Sequence, residues 1–136
     1  MSEKKAQVAA EYLIISGFLL LAVIVFFIYS ISSYNDSVSF TKAKNVVDSL
    51  SNTASQLSGL GNGSSLVVDL EFPENIQSFQ VSGKTFRLFL TTGSGTQEYY
   101  AESRLDLNSA VLPLTSGFHS IKVSRLNNKV DFVEVK

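Results

Sequence analysis

The chain has 136 residues, no Cys and a formal net charge of -1, with 45% apolar residues. That length bounds it to one small domain plus an appendage. The balanced charge, free of any block of one sign, gives no basis for a nucleic-acid partner, and the lack of Cys excludes a disulfide framework and thiolate chemistry.

Residues 1–6 are short, polar and basic, with Lys4 and Lys5 side by side. Positive charge ahead of the first apolar run predicts that this end stays cytoplasmic. From Tyr12 to Ile31, twenty residues pass without a charge. At about 1.5 Å per helical residue the run spans roughly 30 Å, the thickness of a bilayer's hydrocarbon core. Glu11 stands at its lip, and a carboxylate abutting a membrane segment marks a functional site. No Ala-x-Ala follows the run, so it does not read as an ordinary secretory signal peptide. Tyr29 and Tyr34 suit the outer interface. The balanced Asp36, Lys42, Lys44 and Asp48 leave nothing to oppose an external position for the remainder.

The helical pattern continues past the run. Phe40, Ala43, Val47, Leu50, Ala54 and Leu57 recur at spacings of three and four, which puts one apolar stripe on an otherwise polar helix. No Pro occurs before residue 73, and the cluster Gly59-Leu60-Gly61-Asn62-Gly63 supplies the stop. The spacing predicts one helix from about residue 8 to about residue 58, its second half an amphipathic cover for its own domain rather than a coiled-coil stalk.

From Ser64 the period becomes two. Leu66, Val68, Leu70 and Phe72 alternate with Val67, Asp69 and Glu71, Phe86, Leu88 and Leu90 with Thr85, Arg87 and Phe89, and later Ile121 and Val123 with Ser120, Lys122 and Ser124, a pattern of half-buried strands. Ser82-Gly83-Lys84 and Asn127-Asn128 read as tight hairpins, because Gly and Asn tolerate positive φ. Thr92-Gly93-Ser94-Gly95 is a third turn before a strand near 97–105, and Leu112-Pro113 to Gly117 is a looser connection. The expectation is an α+β chain: a long N-terminal apolar helix, then roughly six strands in a small antiparallel meander over 64–136, with the stripe covering the sheet's apolar face.

Catalytic chemistry finds little footing. His119 is the only histidine, which argues against a zinc site, and Ser120 beside it has no recognisable base held by a third group. The Gly-rich stretches lack the Lys-Ser/Thr of a phosphate loop. Glu71, Glu74, Glu98 and Glu102 are not spaced as a calcium loop. The chain reads as a non-enzyme without cofactor or metal. Two sequons, Asn35-Asp36-Ser37 and Asn62-Gly63-Ser64, offer candidate N-glycosylation sites in segments placed outside the membrane.

Lys4-Lys5-Ala6 followed by Gln7-Val8-Ala9-Ala10-Glu11 and an apolar helix resembles the class III signal peptide of archaeal type IV pilin-like proteins. The likeness covers residues 4–31. In that family a prepilin peptidase cuts on the cytoplasmic side directly before the Gln, and the apolar segment is kept as the filament core. The pattern has a small residue two places after the cut-site Gln, Glu four places on and commonly Leu eight places on. Ala9 stands where Ser is usual, Glu11 matches, and Ile15 stands where Leu is common. The resemblance implies cleavage between Ala6 and Gln7, a leader of 1–6, and a helix of 7–58. Residues 7–33 of that helix would serve membrane and filament, and 34–58 would pack on the head. It implies a subunit-register role for Gln7 and Glu11. The implied partners are further copies in a helical homopolymer, the peptidase, an assembly ATPase and its membrane platform, and the membrane before assembly. The implied location is the cell membrane for the precursor and the cell surface for an adhesive filament. Two other readings share the same features: a minor pilin or pseudopilin of a secretion or uptake system, and an uncut membrane-anchored domain that binds an extracellular ligand. The archaellin pattern fits the Gln at the cut less well.

Overall fold

The computed structural model describes residues 2–93, 95–110, 112 and 115–135, with the side chains of Ser2, Glu3 and Lys4 excepted. Ser94 of the expected turn, and Pro113 and Leu114 of the expected connection, lie outside the described residues. The chain divides into two units, Met1–Asn35 and Asp36–Lys136.

One helix, α1 (Ser2–Gly59), runs through the first unit and into the second. It begins earlier than the apolar pattern alone predicts, since residues 2–7 are already helical. Glu3, Lys4, Lys5 and Ala6 are good helix formers and no Pro or Gly interrupts them. The helix remains regular across Ser16-Gly17, where the Ser16 hydroxyl donates to the Tyr12 carbonyl at 2.6 Å. That bond satisfies the hydroxyl inside an apolar segment.

In the second unit α1 is followed, among the described residues, by seven strands: β1 (Ser65–Phe72), β2 (Ile76–Ser82), β3 (Thr85–Thr92), β4 (Gly95–Glu102), β5 (Asp106–Leu107), β6 (Gly117–Leu126) and β7 (Lys129–Val135). They form two sheets, one in the order β1-β6-β7-β5 and one in the order β2-β3-β4. The single meander is therefore a correction. β1 pairs antiparallel with β6, fifty residues on, and not with β2. Pro73 has no N–H to extend a ladder, and Asn75 at φ 63 turns the chain aside. The Thr91 N–H then donates to the Asn75 carbonyl at 3.0 Å, starting β2 against β3. β5 adds a further departure, because it pairs parallel with β7. The local hairpins form where expected: β2–β3 turns at Gly83 (φ 59) and β6–β7 at Asn127 and Asn128 (φ 50 and 67).

The helical stripe and the inner faces of both sheets make one core. Ala43, Val47, Leu50, Ala54 and Leu57 are at most 1% exposed, as is Val46, and Phe40 packs at the margin. Against them lie Leu70, Phe72, Ile121, Val123, Val130 and Phe132 from the larger sheet, and Val81, Phe86, Leu88 and Leu90 from the smaller. Each such Val, Leu or Phe contributes about 1.5–3 kcal/mol of hydrophobic stabilisation. Val46 lies beside the stripe, so the buried helical face is wider than the three-four spacing indicates.

Polar contacts also fasten the layers, among them the Lys42–Glu71 ion pair between α1 and β1. The Ser51 hydroxyl, on a residue only 8% exposed, donates to the Glu102 carbonyl at 2.5 Å and ties α1 to β4. The Arg125 guanidinium, at the end of β6, closes the C-terminus of α1. Its Nη1 donates to the carbonyls of Leu57 (3.2 Å), Ser58 (3.1 Å) and Leu60 (2.6 Å), and Nη2 donates to Asn128 Oδ1 (2.6 Å). The last carbonyls of a helix have no partner within it, and here one cation meets two of them, Leu57 and Ser58, together with Leu60 just past the helix end.

Candidate functional site

The first unit carries the candidate site. Lys5, Ala6, Gln7, Ala9 and Glu11 are all helical and exposed; the backbone of Lys4 is helical and its side chain lies outside the described residues. Gln7 and Glu11 stand one turn apart, so their side chains share a face of α1. Beyond Glu11, every large apolar side chain from Tyr12 to Ile31 is between 49% and 76% exposed. Among the described residues this is the one helix long and apolar enough to cross a membrane. A contiguous apolar surface of this size is far larger than soluble monomers carry. The segment can therefore do two things chemically: lie in lipid, or bury itself against other apolar helices.

The expected modification sites are both exposed. Asn35 lies within α1, whereas Asn62 lies in the turn after it, where its Oδ1 accepts the Asn128 N–H at 3.3 Å.

His119 lies at the start of β6 and has more partners than the sequence reading supplies. Its Nδ1 is 2.6 Å from Glu134 Oε1, and its Nε2 is 3.2 Å from Thr115 Oγ1 and 3.1 Å from the Thr115 carbonyl. The ring meets Phe72 edge-on, with centroids 5.5 Å apart. A third group thus does hold the imidazole. Ser120, however, faces the other side of the strand, and its hydroxyl donates to Asp69 Oδ1 at 2.5 Å. With both ring nitrogens engaged and one edge on Phe72, His119 ties the 115 loop, β6 and β7 together. Among the described residues no group of three or more acidic or His side chains is placed to hold a metal.

The second unit carries several open clefts. One of about 190 Å³ lies between α1 and β4, lined by Lys44, Val47, Asp48, Glu98, Tyr99 and Tyr100. Burial pushes the Tyr99 phenol above its usual value, and its ring packs near Phe40. Another of about 200 Å³ lies beside the Lys42–Glu71 ion pair. A third, of about 320 Å³, is lined by Ser37, Val38, Thr41 and Lys42 of α1 alone. Sites for small organic ligands measure about 300–1,000 Å³ and enclose most of the ligand, which the first two are too small for and a single helix face does not do.

Arg125 is the one functional-looking side chain that the pattern missed. Its signal was present: Ile121 and Val123 face the core, and the same alternation puts Arg125 on that face. A cation in the buried phase of a strand needs partners.

No family model, no curated protein and no solved structure matches the chain.

Proposed function

We propose that the chain is the structural subunit of an archaeal type IV pilus-like surface filament, cut by a prepilin peptidase between Ala6 and Gln7. The observation that carries this reading is the exposed, uncharged surface of Tyr12–Ile31 directly behind Lys4-Lys5-Ala6, Gln7 and Glu11. In the precursor that surface is stable in the bilayer, with the basic end cytoplasmic. Drawn out of the lipid, it must bury itself against copies of itself. Heterologous contacts that do not close produce open helical filaments. One stretch thus serves first as anchor and then as assembly interface.

The polar ends of the segment take complementary roles. Cutting removes Glu3, Lys4 and Lys5, moves the formal charge of the chain from -1 to -2, and leaves Gln7 with a new α-amino group. Set against that amine on a neighbouring copy, the Glu11 carboxylate satisfies a charge that would be expensive alone among apolar helices. The pairing would set the axial register. The Asp36–Lys136 unit would then stand at the filament surface as the adhesive head, delivered by the assembly ATPase and its membrane platform.

Shearing filaments from cells that express the chain tests this. The reading expects the chain as their dominant protein, and a low copy number would assign it a minor-pilin role. Confinement of the chain to the membrane fraction, with none in filaments, would overturn it.

A further inference from the structure

The outer face of the larger sheet is more apolar than a solvated face needs to be. Register places Val67 opposite Lys122 and Lys122 opposite Val133, one row across β1, β6 and β7. Val67 is 61% exposed, Val133 59% and Phe118, two residues before Ser120 on the same face, 79%. The carboxylates of this face are already engaged: Glu71 with Lys42 at 2.7 Å, Asp69 with the Ser120 hydroxyl, and Asp131 with the Asn108 amide. Lys122, set between two valines, has no ion-pair partner among the described residues.

The outer face of the smaller sheet has the opposite character. Tyr100 is 68% exposed, opposite Arg87. Arg87 is spent on Glu98 at 3.6 Å. Glu102, next to Tyr100 on the same side of β4, has no ion-pair partner among the described residues. One face thus offers a cation flanked by apolar side chains, and the other offers a carboxylate beside an exposed aromatic ring.

We infer that these faces are the two halves of a contact between successive copies of this chain, with Tyr100 and Glu102 of one copy seated on Val67, Lys122 and Val133 of the next. The inference rests on the filament reading and adds a second, head-to-head interface to the apolar helices. A copy of the same chain is favoured over another partner because each half supplies what the other lacks: opposite unpaired charges, and an aromatic ring for an apolar bed. The halves lie on different sheets, so the contact is heterologous and repeats without closing on itself.

Charge exchange tests it on filaments from cells expressing the full chain. Lys122→Glu and Glu102→Lys should each lower the yield of sheared filaments at least about tenfold, because each sets like charges face to face. The level and protease resistance of the membrane-held chain should stay unchanged, since both positions are exposed. Combining the two substitutions should return the yield close to wild type. Normal yield from either single variant, or a double variant no better than the singles, would overturn the contact while leaving the filament reading intact. If the wild-type chain is absent from filaments, the filament reading fails and this contact falls with it.

Discussion

Replacing Arg125 with Met isolates the closure of α1. The change keeps the length of an unbranched stem and removes the guanidinium that meets the Leu57, Ser58 and Leu60 carbonyls. A net hydrogen bond to a charged group is worth about 1.5–3 kcal/mol, and a cation at a helix C-terminus about 0.3–1 kcal/mol. The bond to Asn128 Oδ1 is lost as well, but four bonds from one guanidinium do not add in full, and Leu60 is 45% exposed, so water can replace part of what is lost. Arg125 Nε is buried without a hydrogen-bond partner among the described residues, and its removal offsets some of the loss. The expected cost is therefore about 2–3 kcal/mol. For a unit of this size each kcal/mol shifts the midpoint by roughly 4–8 °C. The assay is thermal unfolding of the detergent-solubilised chain by near-ultraviolet circular dichroism, which follows the Tyr and Phe packing of the head. Amide exchange should rise first across Gly59–Gly63, next to the lost cap. Arg125→Lys should fall between, since an ammonium keeps the charge but not the fork. A melt for Arg125→Met within about 2 °C of wild type, with unchanged exchange, would refute the clamp.

Other outcomes follow from single contacts. Leu50→Ala, at a side chain with no exposure, should cost about 2–5 kcal/mol by denaturant unfolding. Ser51→Ala should cost about 1–2 kcal/mol and loosen β4, because the Glu102 carbonyl loses its donor. Gly83→Val should cost at least about 1–2 kcal/mol although no atom lies within 4 Å of the new Cβ, because the penalty comes from φ +59 alone; full stability would show that the hairpin can rearrange. Glu11→Gln should insert and be cut normally yet give few filaments or none, counted by electron microscopy. Filaments of normal number and symmetry would reduce Glu11 to a boundary residue whose worth is the helix dipole's, about 0.3–1 kcal/mol.

Features that depend on neighbours in sequence were readable from residues alone. The stripe from Phe40 to Leu57 is local periodicity, and the turns at Gly83 and Asn127-Asn128 are local backbone chemistry; all appear where those residues stand. Strand partnership is a different matter. β1 meets β6 through a shared core face across about fifty residues, and no local pattern distinguishes that pairing from a hairpin with β2. β5, two residues long, is too short to carry a period. Arg125 was missed because its carbonyl partners lie more than sixty residues away. The His119 partners were missed for a related reason: Glu134 reaches the ring only because β6 and β7 pair. The motif around Gln7 and Glu11 differs again, because its meaning lies in processing and assembly. In the isolated chain those side chains are exposed.

The most direct test of the central claim is mass spectrometry of the chain recovered from sheared surface filaments, reading its N-terminal peptide. Processing before assembly predicts a first residue of Gln7, either as the free amine that could pair with Glu11 or cyclised to pyroglutamate, with Lys4 and Lys5 absent. Assembled chains that still carry Lys4 and Lys5 would contradict the account.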